Sequence, residues 1–217
     1  MRLTITSHTI VKNGMPFIVP VLKSASLLMS EMFVTISKKS TDGTEEAIKA
    51  LNNPKIKIFY EDVPDQGMLT AERQKLADMT RTEWILFLDD DDYWNPYDLD
   101  SVMHELDDSP GLAVNPYQVI DKENHDGSWW NKWFTKFYRN DGITYRHPWP
   151  KDMIYTNGVP LYWKHNPKVR KISPRFYHLA LVKPHSFRKD DLQGYTYGVG
   201  KPALLDKPLP EEIASLL

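Results

Sequence analysis

The stretch Trp84-Ile85-Leu86-Phe87-Leu88-Asp89-Asp90-Asp91-Asp92 runs from five apolar residues straight into four consecutive aspartates. An apolar run of that length reads as a buried strand, so the chain is expected to deliver several carboxylates to one small volume. Neighbouring carboxylates repel and raise one another's pKa, and the arrangement persists where a cation neutralises it. Oxygen-only ligands favour Mg²⁺ or Mn²⁺, and a metal held by one or two carboxylates usually completes its shell with substrate phosphates. Acidic runs also occur as solvated turns or helix N-termini, and Asn95-Pro96 just downstream is suited to open a helix. The apolar run directly before the acids favours the metal, and with it a phosphate-bearing substrate.

Upstream, Leu3-Thr4-Ile5-Thr6-Ser7 alternates as a strand, and Pro16 to Met32 reads as a helix with Phe17, Val21, Leu22, Leu28 and Met29 apolar, imperfectly periodic around Pro20. Met32 to Ile36 predicts a second strand. Ser40-Thr41-Asp42-Gly43-Thr44 predicts a turn that caps a helix from Glu45 to Leu51, and Lys55 to Tyr60 a third strand. After the Asp65-Gln66-Gly67 turn, Thr70 to Met79 predicts a helix with Leu76 and Met79 inward, followed by a fourth strand over Glu83 to Leu88. This alternation implies an α/β fold with a mainly parallel sheet flanked by helices. The aspartates then lie at the carboxyl end of a central strand, where open parallel sheets bind ligands.

The second half is irregular and aromatic, with Trp129, Trp130, Trp133, Phe134, Phe137, Tyr138, Tyr145 and Trp149, then Tyr155, Tyr162 and Trp163. Aromatic faces stack on sugar rings and also serve as large core residues, and the spacing of Trp129, Trp130, Trp133, Phe134 and Phe137 fits one face of a helix. For any one of them the core is the favoured place. Charge divides along the chain: Glu83 to Asp126 is acidic, whereas Trp129 to Arg175 carries ten Lys/Arg against only Asp141 and Asp152. An acidic metal pocket facing a basic segment suits a nucleoside diphosphate, although two solvated faces of opposite sign look the same in sequence.

With 217 residues the chain buries roughly 70% of its unfolded surface and, showing no linker, is expected to be a single domain. A net charge of −2 gives no general attraction to nucleic acid, and the absence of cysteine removes disulfides, thiolate zinc sites and cysteine nucleophiles. No apolar run approaches the roughly 18 residues of a membrane span, and His8, Lys12, Asn13, Pro16 and Pro20 interrupt any leader. A soluble, uncleaved cytoplasmic protein is expected, with peripheral attachment to a membrane surface left open.

Residues 1–95 resemble the nucleotide-binding half of the inverting family 2 glycosyltransferases, which have the GT-A fold, Rossmann-like in its nucleotide-binding part. Ser40-Thr41-Asp42-Gly43-Thr44 resembles the family's S-T-D-G-T turn, Gln66-Gly67 with Ala71-Glu72-Arg73-Gln74 its Q-G and A-R-N segments, and Leu86 to Asp92 its L-D-x-D-D element. The resemblance implies a nucleotide-diphosphate sugar donor and a hydroxyl acceptor on a glycan, glycoprotein or lipid-linked molecule. Asp89 and Asp90 would approach the ribose or the cation, Asp91 would ligate Mn²⁺ or Mg²⁺, and Arg73 would lie near the nucleotide unless it is an arginine on an exposed helix face. Residues 96–200 would then form the acceptor half, and 201–217 a tail whose Glu211 to Leu217 forms a terminal helix behind Pro208.

Departures from the family pattern bear on the donor. Ser37-Lys38-Lys39 stands where the family has an acidic pair that contacts uracil, and Thr6, Ser7 and His8 replace its P-x-Y-N ending. A UDP-sugar is the first expectation, with guanosine and thymidine donors open. Inversion needs a carboxylate base for the acceptor hydroxyl. Asp152 of Lys151-Asp152 stands about where the family has an E-D pair, with Asp190 and Asp191 as fallback. His178 of Phe176-Tyr177-His178-Leu179 resembles the family's late metal-binding histidine more closely than His185 does. Two other readings compete. Phosphohydrolases with an aspartyl nucleophile want Thr or Val where Tyr93 follows the acids, and a nonenzymatic sugar-nucleotide or carbohydrate binding module on the same fold would lack a working base.

Overall fold

The computed structural model describes residues 3–62, 66–127, 132–146, 153–162, 164–182 and 202–217. The first half alternates strand and helix: β1 (Ile5–Val11), α1 (Ile18–Ser26), β2 (Glu31–Ser37), α2 (Thr44–Ala50), β3 (Ile56–Glu61), α3 (Gln66–Met79) and β4 (Trp84–Phe87). Shorter elements follow: β5 (Asp92–Tyr93), α4 (Pro96–Glu105), β6 (Gly111–Val114), β7 (Tyr117–Gln118), β8 (Asn124–Asp126) and β9 (Phe134–Arg139). The remainder is β10 (Ile143–Arg146), β11 (Met153–Thr156), β12 (Val159–Pro160), β13 (Arg170–Lys171), β14 (Tyr177–His178), β15 (Pro202–Leu204) and α5 (Glu211–Ala214).

A seven-stranded sheet in the order β13-β6-β9-β4-β1-β2-β3 organises the molecule. β1 to β4 are parallel, and β9 is inserted antiparallel between β4 and β6. One face of the sheet packs Ile5, Val34, Trp84, Leu86 and Phe137 with α1 and α4; beyond the opposite face, Phe33 and Ile10 meet Leu76 of α3, and Ile85 and Tyr138 meet Tyr145 of β10. Full burial of each such side chain contributes about 1.5–3 kcal/mol, so both faces of the sheet hold it in place.

Three elements differ from the sequence expectation. The helix expected over Pro16 to Met32 is confined to α1: Pro20 falls in its first turn, where the missing N–H has no partner to lose, and the chain passes into β2 from Glu31. Met32 lies in β2, whose entry is tied to β1 by Ser30 N–H donating to Ile5 O at 2.9 Å. β1 runs on to Val11, and Thr6, Ser7, His8 and Thr9 are all buried within it. Their polarity hides the strand in the sequence, but Thr6 bonds Thr82 and His8 Nε2 bonds Thr80 Oγ1, both at 2.7 Å.

The third difference concerns the aromatic run. Phe134 and Phe137 lie on a strand, β9, and not on a helix face; Trp129 and Trp130 lie outside the described residues. Phe137, Tyr138 and Tyr145 are core residues, as Trp94 is, and Trp94 stacks on Phe176 at 5.1 Å and meets Phe137 edge-on at 5.3 Å. Pairing with β4 on one side and β6 on the other outweighs the helical spacing.

A small sheet, β5-β14-β7, stands beside the main one. Tyr93, Tyr177 and Tyr117 are register neighbours on its strands, as are Asp92, His178 and Gln118 at the adjacent register position. Alternation puts the two sets on opposite faces. The tail covers the tyrosines: Tyr93 donates to Glu212, Tyr117 to Asp206, and Tyr177 to Pro208 O at 3.1 Å, while Ile213 of α5 is buried. No helix among the described residues is long and apolar enough to cross a membrane.

Candidate active site

The chain leaves the main sheet at Leu88 and turns back at β5, so Asp89 to Asp92 crowd into the bend. Asp90, Asp91 and Asp92 are buried, and Asp89 is partly exposed. Asn95 caps α4 by accepting from Tyr97 N–H at 3.0 Å, with Pro96 in the first turn. The acids therefore precede the helix and do not form its first turn, which removes the plain macrodipole explanation for them.

Cationic groups from distant parts of the chain converge on the acids. Lys136 Nζ of β9 donates to Asp89 Oδ2 at 2.9 Å and also to Asp92 Oδ2. His178 Nδ1 lies 2.7 Å from Asp92 Oδ1 and 3.7 Å from Asp91 Oδ1. Arg73 of α3 reaches within 3.7 Å of Asp89 Oδ1, with its guanidinium 3.6 Å above the Phe87 ring. Arg73 is thus buried against the cluster and is not an arginine on an exposed helix face. The acid and base segments of the sequence meet here directly.

Burial opposes charge on His178, but the carboxylates of Asp91 and Asp92 outweigh it and raise its pKa above the usual imidazole value. Lys136 follows the same pattern: burial pulls its pKa down, and Asp89 and Asp92 more than restore it. His8 is the contrary case. Enclosed by the sheet and stacked on Phe33, it is pushed down to about 3 by burial and by the Arg73 charge, and stays neutral.

Asp91, Asp92 and His178 each offer one ligand atom, all within 4.8 Å of one another, a group able to hold a metal ion. β14 explains this placement. It pairs antiparallel with β5, which sets His178 opposite Asp92, and Leu179 N–H donates to Asp91 O at 2.8 Å.

The Ser40 to Thr44 turn shapes the neighbouring loop. Asp42 Oδ2 accepts Met15 N–H at 2.9 Å, Thr44 Oγ1 accepts Gly14 N–H at 2.8 Å, and Asn13 Oδ1 accepts Thr41 N–H at 2.9 Å. Gly43 has φ +83°, open to glycine without strain. At Gly14 a Cβ would stand 2.5 Å from Val11, 3.1 Å from Ile18 and 3.4 Å from Asp90 Oδ2, so glycine lets this loop pack closely against the start of α1. The turn residues thus fasten the loop after β1 at the sheet's carboxyl edge.

Of the expected site residues, Asp89, Asp90, Asp91, Arg73 and His178 come together. Ser37 is buried at the end of β2, where its Oγ accepts Lys39 N–H at 3.3 Å. Thr6, Ser7 and His8 lie inside the sheet and not at its edge, because β1 continues past them. Asp152, His185, Asp190 and Asp191 lie outside the described residues. Lys136 and Asp92 were missed as site residues; the one signal for Lys136 is a lone lysine in the strand-compatible run Phe134-Thr135-Lys136-Phe137-Tyr138. A cavity of about 460 Å³ lined by Glu83, Asp108, Arg139 and Asn140 opens at the other end of β4 and takes no part in this cluster.

The family model described as glycosyl transferase family 2 matches residues 10–159. No curated protein matches the chain. Among solved structures, S. aureus TarS 1-349 is 20% identical with a TM-score of 0.46, over 64% of this chain and 47% of that one. Glucosyl-3-phosphoglycerate synthase from Mycobacterium tuberculosis, in complex with Mn²⁺, UDP and phosphoglyceric acid, is 21% identical with a TM-score of 0.41, over 53% of this chain and 43% of that one. Mannosyltransferase PcManGT from Pyrobaculum calidifontis, in complex with GDP-Man and Mn²⁺, is 21% identical with a TM-score of 0.43, over 55% and 36%. The chain thus spans about half the length, or less, of the solved structures it resembles.

Proposed function

The chain belongs to glycosyl transferase family 2, and from that premise we propose that it transfers a sugar from a nucleotide-sugar donor to a hydroxyl of a glycan, glycoprotein or lipid-linked acceptor, with a divalent cation and by inverting single displacement. The observation that supports this reading is the convergence of Asp91, Asp92 and His178 at the carboxyl end of β4. Carboxylate oxygens suit Mg²⁺ and Mn²⁺ alike, and the imidazole nitrogen inclines the set toward Mn²⁺. A cation bound there supplies Lewis-acid neutralisation of the charge that develops on the leaving diphosphate.

The chain's own groups divide the remaining work. Asp91 and His178 offer ligand atoms, and Asp92 holds the His178 ring at 2.7 Å. Arg73, braced on Phe87 and paired with Asp89, lines the nucleotide side. Ser37 and the fastened Asn13–Met15 loop stand at the adjoining sheet edge, where the nucleotide base is read. Asp152 takes the proton from the acceptor hydroxyl as it attacks the anomeric carbon.

The test is nucleoside diphosphate release from UDP-, GDP- and TDP-sugars with and without Mn²⁺, first alone and then with hydroxyl acceptors. Release from one donor class, dependent on Mn²⁺, is expected. Asp152→Asn should spare donor binding and remove transfer; retained transfer eliminates Asp152 as base. Metal-dependent nucleotide binding with no turnover under any acceptor would identify a binding module on this fold.

A further inference from the structure

We propose that Lys136 is the resident cation of the aspartate cluster, holding Asp89 and Asp92 in place without metal and weakening the cluster's grip on a divalent ion, so that the ion stays exchangeable. This rests on the metal reading of Asp91, Asp92 and His178. Four adjacent acids need a counter-charge whether or not a metal is present, and the fold supplies one of its own. β9 is inserted antiparallel with Leu86 opposite Phe137, so the residue before Phe137 emerges at the carboxyl end of β4. There Lys136 Nζ sits 2.9 Å from Asp89 Oδ2, in contact with Asp92 Oδ2, and 4.8 Å and 5.2 Å from the ring centroids of Phe87 and Phe176. Aromatic faces on two sides shield the ammonium from water and keep its charge effective.

The consequence for a metal has a definite sign. Lys136 contacts Asp92 Oδ2 and His178 lies 2.7 Å from Asp92 Oδ1, so Asp92 is held between two cationic groups within the Asp91, Asp92 and His178 ligand set. A fixed positive charge against these carboxylates repels an incoming dication. Removing it strengthens metal binding by about 10-fold or more for charges a few ångströms apart in a partly buried site. It also leaves the metal-free acids with only Arg73 and His178 to balance them, so the apoprotein loses stability that a bound dication restores. A lysine with a purely structural role would lower stability without tightening metal.

The experiment measures free Mn²⁺ by electron paramagnetic resonance, together with melting temperature with and without Mn²⁺, for the native chain, Lys136→Met, Lys136→Gln and Lys136→Arg. The neutral variants are expected to melt lower without metal, to bind Mn²⁺ about 10-fold more tightly or better, and to regain most of the lost melting temperature at saturating Mn²⁺; Lys136→Arg keeps native behaviour. Lys136→Gln retains a donor and polar bulk, and carries the test if the methionine variant fails to fold. Neutral variants that bind Mn²⁺ no more tightly than the native chain, while the native chain binds it through Asp91, overturn the role of Lys136 alone. Absence of Mn²⁺ binding in every form overturns it together with the metal reading.

Discussion

The half of the chain up to β4 and the half after it build the site in opposite ways. β1 to β4 lie in the order β4-β1-β2-β3, joined by short connections, and contribute the bend that holds the acids. The later half is assembled from strands of two to six residues, and those that build the site pair with partners far away in sequence. It contributes Lys136, 47 residues from Asp89, and His178, 86 residues from Asp92. The acids are thus a local product of one strand end, and apart from Arg73 of α3 the groups that balance them arrive only when the second half docks. The site is the seam between the two, and a substitution on either side tests how tightly they are joined.

The largest effect is expected at the seam itself. On the proposed metal reading, Asp91→Ala removes a ligand carboxylate and should lower sugar transfer by about 10³-fold or more, checked by nucleoside diphosphate release at saturating Mn²⁺. Within the second half, Trp94→Ala empties a site enclosed by Phe137 and Phe176 and should destabilise the protein by about 3–5 kcal/mol, measured by denaturant unfolding. Because Trp94 links β9 of the main sheet to Phe176, beside β14 of the small one, a single unfolding transition is expected; two transitions would show that the two sheets unfold separately.

In the first half, His8 gives a pH signature. Its pKa falls from 6.5 unfolded to about 3 folded, so between these values the unfolded chain binds more protons. Stability is therefore complete above about pH 6.5 and is lost as the pH falls, by about 1.4 kcal/mol per unit. His178, with its pKa raised, contributes stability that is complete below the unfolded value and lost only as the pH rises through the folded one, so it leaves this acid limb unchanged. Denaturant unfolding of native protein and His8→Phe between pH 5 and 7 checks this, and an equal slope in the two would exclude His8 as its source. The smallest effect concerns Gln74 of α3, whose Oε1 accepts Tyr145 N–H at 2.8 Å and whose Nε2 donates to Ile143 O at 3.2 Å. Gln74→Ala should cost about 1 kcal/mol per lost bond and slow transfer only slightly, by loosening β10 against α3.

What the sequence revealed follows the same division. β2, β3, α2 and β4 are legible because periodicity, a glycine turn and short connections are local signals, and the aspartates stand out for the same reason. β1 is misread beyond Ser7 because His8 and Thr9 are polar yet buried in the sheet, His8 Nε2 against Thr80 Oγ1, and α1 because Pro20 sets a start that spacing alone does not register. β9 is misread because its aromatic spacing suits a helix until β4 and β6 flank it. Lys136 is missed for that reason: a lysine on a helix reads as a solvated charge, whereas on an inserted strand it is forced against the acids. His178 is found only through the resemblance of its Tyr-His segment, since strand pairing with Asp92 leaves no mark in either segment taken alone.

The most direct test of the seam as a nucleotide and metal site is the melting temperature of the native chain with UDP, GDP and TDP, each with and without Mn²⁺, because a ligand that binds the folded state raises it by mass action. The account predicts that one nucleotide raises it substantially, only when Mn²⁺ is present, and that Asp91→Ala removes the increment. No increment from any nucleotide at saturating concentration, or an equal increment without metal, would contradict it.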